Sequence, residues 1–226
     1  MLNHSHIILE NICKDFKQGD ETIHVLKKIN MQARKGELLM IVGPSGSGKT
    51  TLISIIAGTL KADSGTIRLF DFPLENKSSK EISAFRRIHI GFVFQQFHLI
   101  PNLTCLENIA IPLLLNGYKY HQAIDKAKKS LNEIGLSQHA QHSPKLLSVG
   151  QQQKVAFARA LIHEPKIIIC DEPTSSLDAE SGKKIMDQIS SHVAKDDRIG
   201  IVVTHDNRIF DYATRIIEID DGKLKN

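Results

Sequence analysis

The feature that most constrains the fold is a glycine-rich segment enclosed by two apolar runs. Residues 43–50 read GPSGSGKT and match the pattern G-x-x-x-x-G-K-[ST]. The run before it, 37–42, is short and apolar, as expected of a buried strand. The longer run after it, 52–57, ends at Gly58 and predicts a helix that begins near Lys49. A strand, a glycine-rich turn and a helix in this order indicate an α/β protein.

A turn of this kind is suited to phosphate. Glycine lets backbone N–H groups face a ligand closely, and the N-terminus of the following helix adds further donors. Lys49 is then expected on the β- and γ-phosphates and the Thr50 hydroxyl on Mg²⁺. An ordinary glycine-rich turn is the alternative, but the flanking strand and helix favour a nucleotide. The predicted binding residues are Gly43, Pro44, Ser45, Gly46, Ser47, Gly48, Lys49, Thr50 and Thr51.

Composition excludes several classes of protein. The chain has 226 residues, enough for one domain with an inserted subdomain. Its net charge of +4, from 29 basic and 25 acidic residues, is too balanced to indicate nucleic-acid binding by itself. No apolar run approaches the roughly 20 residues of a membrane span, and the N-terminus lacks the pattern of a signal peptide. We therefore expect a cytoplasmic protein.

The order of apolar segments predicts the organisation of the domain. Two segments around KQGDET predict a hairpin, to which 67–70 is expected to add a strand, and HIGFVF predicts another strand. Helical spacing dominates from there to about residue 152. The apolar runs 166–170 and 198–204 then predict parallel strands with a helix between them. We expect one domain, 1–226. Residues 1–94 and 153–226 form its ATP-binding α/β core with the β subdomain, and residues 95–152 form an inserted helical subdomain.

Two further motifs lie in the second half. Asp171 and Glu172 end an apolar run, where one carboxylate could hold Mg²⁺ and the other could activate water. Neighbouring residues on an extended strand point to opposite sides, so the two carboxylates are expected to divide these tasks. Ser148 and Gly150 begin a helix that offers a second anion site. A solvated acidic turn and a plain capped helix are the alternatives, and the presence of the phosphate loop upstream favours the functional reading.

Over nearly its whole length the chain resembles the nucleotide-binding subunits of ABC transporters. The resemblance implies a P-loop (RecA-like) ATPase core with an N-terminal antiparallel β subdomain and an inserted helical subdomain. It also implies ATP and Mg²⁺ as cofactors. Beyond the phosphate loop, the resemblance implies that Phe16 stacks on adenine and that the signature residues contact ATP, namely Ser148, Gly150 and Gln151. It also implies an ATP contact from Asp178, the last residue of the D-loop motif Ser176-Leu177-Asp178. The implied catalytic residues are Glu172, His205 and Gln95, and the implied metal ligands are Thr50, Gln95 and Asp171.

Two residues depart from the family pattern. Val149 replaces the more common glycine of the signature, and its β-branched side chain disfavours a positive φ. We expect ordinary backbone angles there. Lys154 replaces a common arginine, and a point charge cannot reproduce the bidentate contact of a guanidinium.

The resemblance further implies partners. Two chains are expected to form a homodimer with ATP sandwiched between them, each signature helix closing over the nucleotide of the other chain. A separate membrane permease is expected on the groove around 95–103, where Phe97, Leu99, Ile100 and Leu103 either contact the partner or form subdomain core. The chain would then be peripheral on the cytoplasmic face of the inner (plasma) membrane, with no nucleic-acid partner.

The sequence between 98 and 136 is similar to the branch that serves lipoprotein release and macrolide export. A subunit that drives a separate membrane permease for export or release of a lipophilic cargo, namely a lipoprotein, a lipid or a drug, is therefore expected. Two alternatives stay open at this point. One is a cell-division type of ATPase that regulates envelope hydrolysis without transport, and the other is a soluble ABC ATPase acting on ribosomes or DNA.

Overall fold

The computed structural model describes residues 6–175, 177–195 and 198–225. Within these residues the chain forms ten strands, six α-helices and four short 3₁₀ helices. The strands are β1 (Ile7–Gln18), β2 (Glu21–Ala33), β3 (Leu38–Val42), β4 (Ser64–Leu69), β5 (Phe72–Pro73), β6 (Ile90–Val93), β7 (Ile167–Asp171), β8 (Ile199–Val203), β9 (Arg215–Asp220) and β10 (Lys223–Lys225). The helices are α1 (Lys49–Ile56), α2 (Ser79–His89), α3 (Cys105–Leu115), α4 (Tyr120–Glu133), α5 (Val149–Leu161) and α6 (Ala179–Lys195).

The predicted N-terminal hairpin is the centre of a four-stranded antiparallel sheet. β1 pairs with β2 on one side and with β4 on the other, giving the order β2-β1-β4-β5. Alternate apolar side chains of β1 and β2 pack on the same core as α1 and the inner face of the second sheet. The predicted β subdomain is therefore confirmed, with strands longer than the apolar segments themselves.

The second sheet has six strands in the order β10-β9-β3-β8-β7-β6. The strands β9, β3, β8, β7 and β6 are mutually parallel, and β10 is an antiparallel edge strand. Every residue of β7 and β8 is buried, because helices and the β subdomain cover both faces. The carboxyl ends of β3, β6, β7 and β8 consequently meet at one edge of the sheet.

The helices α3 and α4 and one side of α5 enclose a separate apolar core. The helix α5 belongs to two cores at once. Val155 and Ala158 pack among the residues of α3 and α4, whereas Phe157 and Ala160 pack against the sheet. The boundary proposed at 152/153 lies inside this continuous helix, so α5 joins the helical subdomain rigidly to the ATP-binding core.

The helix α2 was not predicted. Its apolar face is narrow, and none of its residues is buried. Its beginning nevertheless carries a local signal, because Ser78 and Glu81 form a capping box in which each side chain bonds the other's backbone N–H. The spacing S-x-x-E was the available clue. In the described part of the chain, no helix is both long and apolar enough to span a membrane.

Candidate nucleotide site

The turn between β3 and α1 requires its glycines. Gly43, Gly46 and Gly48 have φ of 145°, 78° and 104°, in the region that L side chains avoid. A Cβ on Gly43 would lie 2.0 Å from the Ile219 carbonyl oxygen, and one on Gly48 would lie 2.8 Å from that of Val25. The loop is therefore packed closely between β2 and β9, and these positions leave no room for a side chain.

Two side chains of this loop indicate what it binds. The buried Lys49 ammonium donates to the carbonyl oxygens of Gly43 at 2.9 Å and Pro44 at 2.7 Å, which holds it across the mouth of the loop. The Ser47 hydroxyl is buried and has no hydrogen-bond partner among the described residues. A buried polar group without a partner is costly, and a phosphate oxygen at the loop would satisfy it, although Ser47 is not among the residues that line the cleft. The residues present therefore fit a nucleotide phosphate group.

The loop forms one wall of a cleft of about 470 Å³. Three residues predicted from the sequence, Gln95, Glu172 and His205, lie on its other walls. They come from the carboxyl ends of β6, β7 and β8, which explains how distant segments meet there. The remaining lining residues are Val25, Gly43, Pro44, Ser45, Gly46, Gly48, Lys49, Thr50, Thr51 and Val203.

Asp171 and Thr50 lie together at the base of the cleft. The Thr50 hydroxyl donates to the two carboxylate oxygens of Asp171, at 3.2 and 3.4 Å. Burial raises the pKa of Asp171, although the Thr50 hydrogen bond and the Lys49 charge act in the opposite direction. A buried carboxylate beside a hydroxyl is a fitting ligand pair for Mg²⁺, which binds proteins through one or two carboxylates together with phosphates.

Glu172 corrects one expectation. Its φ of +50° takes it out of the strand, so the alternation of an extended chain does not set the direction of its side chain. Hydrogen bonds set it instead. The Glu172 Oε1 lies 2.7 Å from His205 Nδ1, and the Thr204 hydroxyl donates to Oε2 at 3.3 Å. The carboxylate is thereby held at the cleft beside His205, the second of the implied catalytic residues.

Sequence reasoning missed a network next to this pair. The buried Thr174 donates its hydroxyl hydrogen to Asp206 at 2.8 Å, and Arg208 forms a two-pronged contact with the same carboxylate at 2.8 and 2.7 Å. The Arg208 hydrogen bond is the main reason that the pKa of Asp206 falls to about 2. The network ties the turn after Glu172 to the turn that carries His205. The sequence did offer a signal for this network, because Thr174 closely follows Glu172 and Asp206 directly follows His205.

Phe16 and Asp178, which were proposed as ATP contacts, lie outside the cleft lining. The Phe16 side chain is 41% exposed on β1, with the Lys14 ammonium 5.4 Å from its ring centroid, and Val25 of β2 is the hairpin residue that lines the cleft. Asp178 accepts a hydrogen bond from the Ser181 backbone N–H at 2.9 Å, which caps the first turn of α6. Ser176, the first residue of the proposed D-loop, lies outside the described residues.

The signature residues form a well-made helix N-terminus. The Ser148 hydroxyl accepts from the Gln151 N–H at 3.3 Å, and the Ser148 N–H donates to the Gln151 side chain at 2.9 Å. Val149 has the ordinary helical backbone that its branching predicts, and its side chain is 48% exposed. Ser148, Gly150 and Gln151 do not line the cleft of their own chain.

The phosphate loop, the buried aspartate and the glutamate–histidine pair on a mixed sheet define a nucleotide-hydrolysing P-loop cassette. Comparison with family models then gives the family. The model described as ABC transporter matches residues 26–175, and the chain belongs to this family. Its members are ATPases that use ATP and Mg²⁺, and the chain is accordingly the ATPase subunit of a transporter.

Relatives and solved structures agree with this assignment. The chain is 46% identical over 219 residues to "Putative hemin import ATP-binding protein HrtA" of Staphylococcus haemolyticus, covering 96% of this chain and 98% of the relative. It is 41% identical, with the same coverage, to the protein of that name in Staphylococcus aureus strain Newman. The dimeric post-hydrolysis structure of the ATP-binding cassette MJ0796 with ADP and Pi is 39% identical, with a TM-score of 0.92 over 97% of both chains. The cbiO1 subunit of the Clostridium perfringens cbiONQ complex is 28% identical, with a TM-score of 0.84 over 98% of this chain and 87% of that one.

Proposed function

We propose that this ATPase dimerises on ATP and drives a separate membrane permease that exports or releases a lipophilic cargo. One observation supports the dimer. Within one chain, the residues that line the cleft are separated from the signature residues that are proposed to complete the ATP site. The cleft holds the phosphate loop, Gln95, Glu172 and His205, while Ser148 and Gly150 lie elsewhere on the surface. A second chain can supply the missing helix N-terminus to the phosphates.

In the proposed mechanism each residue has one task at the cleft. Lys49 and the loop amides neutralise the phosphate charge. Thr50, Asp171 and Gln95 are the residues that would hold Mg²⁺, which would supply further charge stabilisation for phosphoryl transfer. Glu172 accepts the proton of the attacking water. His205, in direct contact with Glu172, fixes the carboxylate toward that water. The Thr204 hydroxyl supports the same orientation from the other carboxylate oxygen.

The proposed site for the permease is the loop after β6. Ile100 has a side chain that is 43% exposed, although the residue's backbone is fixed by Asn108, whose buried amide bonds both the Ile100 N–H and its carbonyl. The Ile100 side chain therefore lies outside the core, where a partner chain could contact it. The loop also begins at Gln95, so a partner bound here would act directly on the cleft.

For the cargo we propose hemin. The relatives that are 46% and 41% identical are named for hemin, and each is matched over nearly its whole length. Hemin is a flat lipophilic tetrapyrrole and so belongs to the cargo class expected from the sequence. Those names describe import, whereas the resemblance to the release and export branch favours outward movement from the cytoplasmic face of the inner membrane.

Capture of the complex tests this proposal. A tagged Glu172→Gln chain is purified from native membranes in mild detergent with Mg-ATP, and the bound proteins are identified by mass spectrometry. The expected partner is a few-span protein with a large extracytoplasmic domain, and Ile100→Asp in the same chain should release it. Recovery of ribosomal proteins or nucleic acid without a membrane protein would contradict the transporter role and leave the ATPase chemistry intact.

The captured complex also allows the cargo to be tested. Reassembled with the wild-type ATPase in lipid nanodiscs, it is expected to hydrolyse ATP several-fold faster with hemin than without it. A diacylated lipopeptide serves as the comparison cargo. Stimulation by the lipopeptide alone would rule out hemin and retain the lipophilic class, and stimulation by neither would contradict both.

A further inference from the structure

The loop that carries Gln95 is held in an unusual conformation. Phe97 and His98 are consecutive non-glycine residues with φ of 59° and 46°, both in the left-handed region. L side chains avoid this region for steric reasons, and two such residues in succession are rarer still. Strained backbone of this kind persists only where the surroundings hold it, and it is concentrated at functional sites. What holds this loop therefore bears on the ATP site.

The loop, and not the side chain, sets the position of Gln95. The Gln95 amide lines the cleft but forms no hydrogen bond with any residue that the structure describes. Its place opposite the phosphate loop therefore depends on the path of the backbone from Phe94 to His98. Within the loop that path is supported by two short turns, from the Phe97 N–H to Phe94 and from the His98 N–H to Gln96, and by stacking of the Phe94 and His98 rings at 4.8 Å.

Arg159 of α5 supplies the contact from outside the loop. Its Nη1 donates to the His98 carbonyl at 2.7 Å, and its Nη2 donates to the Phe97 carbonyl at 2.5 Å. One planar guanidinium thus binds the carbonyls of both left-handed residues. No carboxylate of the described residues lies within ion-pair distance of Arg159, so these carbonyls are the partners of its charge. The guanidinium is partly buried, which lowers the pKa of the group and reduces competition from water.

We propose that Arg159 is a positioning residue for ATP hydrolysis, which fixes the strained loop and thereby holds Gln95 at the cleft. Arginine suits this geometry better than lysine. A lysine would keep the charge, and Lys49 shows that one ammonium can reach two successive carbonyls, but its flexible stem lacks the planar fork that holds two donors in fixed directions. The proposal deepens the account of the ATP site and rests on the proposed role of Gln95. It does not depend on the cargo or on the permease.

The contact of Arg159 also links the helix α5, which begins with the signature residues, to the loop that carries Gln95. Ser148 caps the beginning of this helix and Arg159 lies in its last turn, about 16 Å further along at the rise of an α-helix. Between them, the buried Gln153 donates to the carbonyl of Pro173, the residue after Glu172. The signature helix is therefore in contact with both the loop that carries Gln95 and the turn after Glu172.

A pair of conservative variants tests the role of Arg159. Arg159→Lys is compared with Arg86→Lys, since Arg86 also donates through Nη1 to a main-chain carbonyl, that of Gly58, at 2.9 Å and away from the cleft. In the isolated full chain at saturating Mg-ATP, Arg159→Lys is expected to lower kcat about 10- to 100-fold, the usual effect of a small misplacement. The affinity for ATP should stay within about twofold of wild type, because the phosphate loop is untouched. Arg86→Lys should leave both quantities unchanged.

A double-mutant cycle separates positioning from general destabilisation. Because Arg159 is proposed to act through Gln95, Arg159→Lys should change kcat by less than about twofold in a Gln95→Ala background. Phe97→Gly should restore part of the activity of Arg159→Lys, since glycine adopts a positive φ without strain. The same double variant serves for the assay if Arg159→Lys alone does not fold.

Three results would overturn the proposal. The first is a kcat for Arg159→Lys equal to that of Arg86→Lys. The second is a loss of ATP affinity and melting temperature in proportion to the loss of kcat, with no recovery from Phe97→Gly. The third is a Gln95→Ala variant with wild-type kcat, which would remove the premise. Because the wild-type chain is assayed without a permease or cargo, none of these results depends on the proposed transport function.

Discussion

At the scale of single residues, the sequence predicted the chemistry better than the geometry. The spacing of 43–50 was sufficient to identify the phosphate loop, because the glycine positions follow from the backbone angles that the loop needs. The direction of Glu172 was not predictable, since a positive φ at a glutamate contradicts its local preference. The tertiary bonds from His205 and Thr204 determine it, and these join residues that are remote in the sequence.

Asp171 provides a prediction about stability. Burial raises the pKa of its carboxyl, so the folded chain binds a proton more readily than the unfolded chain, and stability falls as the pH rises past the unfolded value of 3.8. At pH 7 and without nucleotide, Asp171→Asn should therefore stabilise the chain by on the order of 1 kcal/mol, while ATPase activity is lost. Urea unfolding without Mg²⁺ measures the change. A lower urea midpoint for the variant would contradict this account of the site.

The contribution of Asp206 to the stability of the folded chain has the opposite pH dependence to that of Asp171. Its pKa is lowered to about 2, chiefly by the hydrogen bond from Arg208. The unfolded chain therefore takes up a proton first, and the stabilisation that is present above pH 4 is lost as the pH falls toward 2. Asp206→Asn should lower the melting temperature at pH 7. The difference in melting temperature between the variant and the wild-type chain should be smaller at pH 3. Asp211→Asn, which removes an exposed carboxylate of the short helix that Asp206 caps, is the control for loss of a surface charge.

At the scale of elements, the spacing of apolar residues predicted the long helices and the buried strands. It did not predict α2, whose only sequence signal is the capping box at its beginning. β7 and β8 were predictable because full burial leaves continuous isoleucine and valine runs. α2 buries no residue, so its pattern was too weak. The strained loop from Phe97 to His98 could not be predicted either, since neither residue favours a positive φ and the stabilising guanidinium comes from α5.

Two matching helix caps allow the structural and functional roles of Ser148 to be separated. Ser78 begins α2 and Ser148 begins α5, each with the same capping box. Replacement of either serine by alanine should lower the free energy of unfolding by about 1 kcal/mol. Only Ser148→Ala should also lower ATPase activity, by at least about tenfold beyond the effect on stability, because the proposed partner-chain contact to phosphate is lost. Equal activities for the two variants would contradict a role of the signature helix in catalysis.

At the scale of the whole molecule, the fold class was predictable because the motifs occur in a fixed order along one chain. The strand order was not, since the crossovers that place β3 between β8 and β9 depend on packing across the sheet. The proposed dimer is a property of this scale too. Each chain presents the phosphate loop in one place and the signature in another, so under the proposed function neither chain forms a complete site alone.

The most direct test of the account is the oligomeric state of Glu172→Gln with Mg-ATP, measured by sedimentation velocity. The variant should bind ATP without hydrolysing it at an appreciable rate, and the account predicts a dimer that reverts to monomer when ATP is replaced by ADP. A chain that also carries Lys49→Ala should stay monomeric. A Glu172→Gln chain that stays monomeric under saturating Mg-ATP would contradict the account.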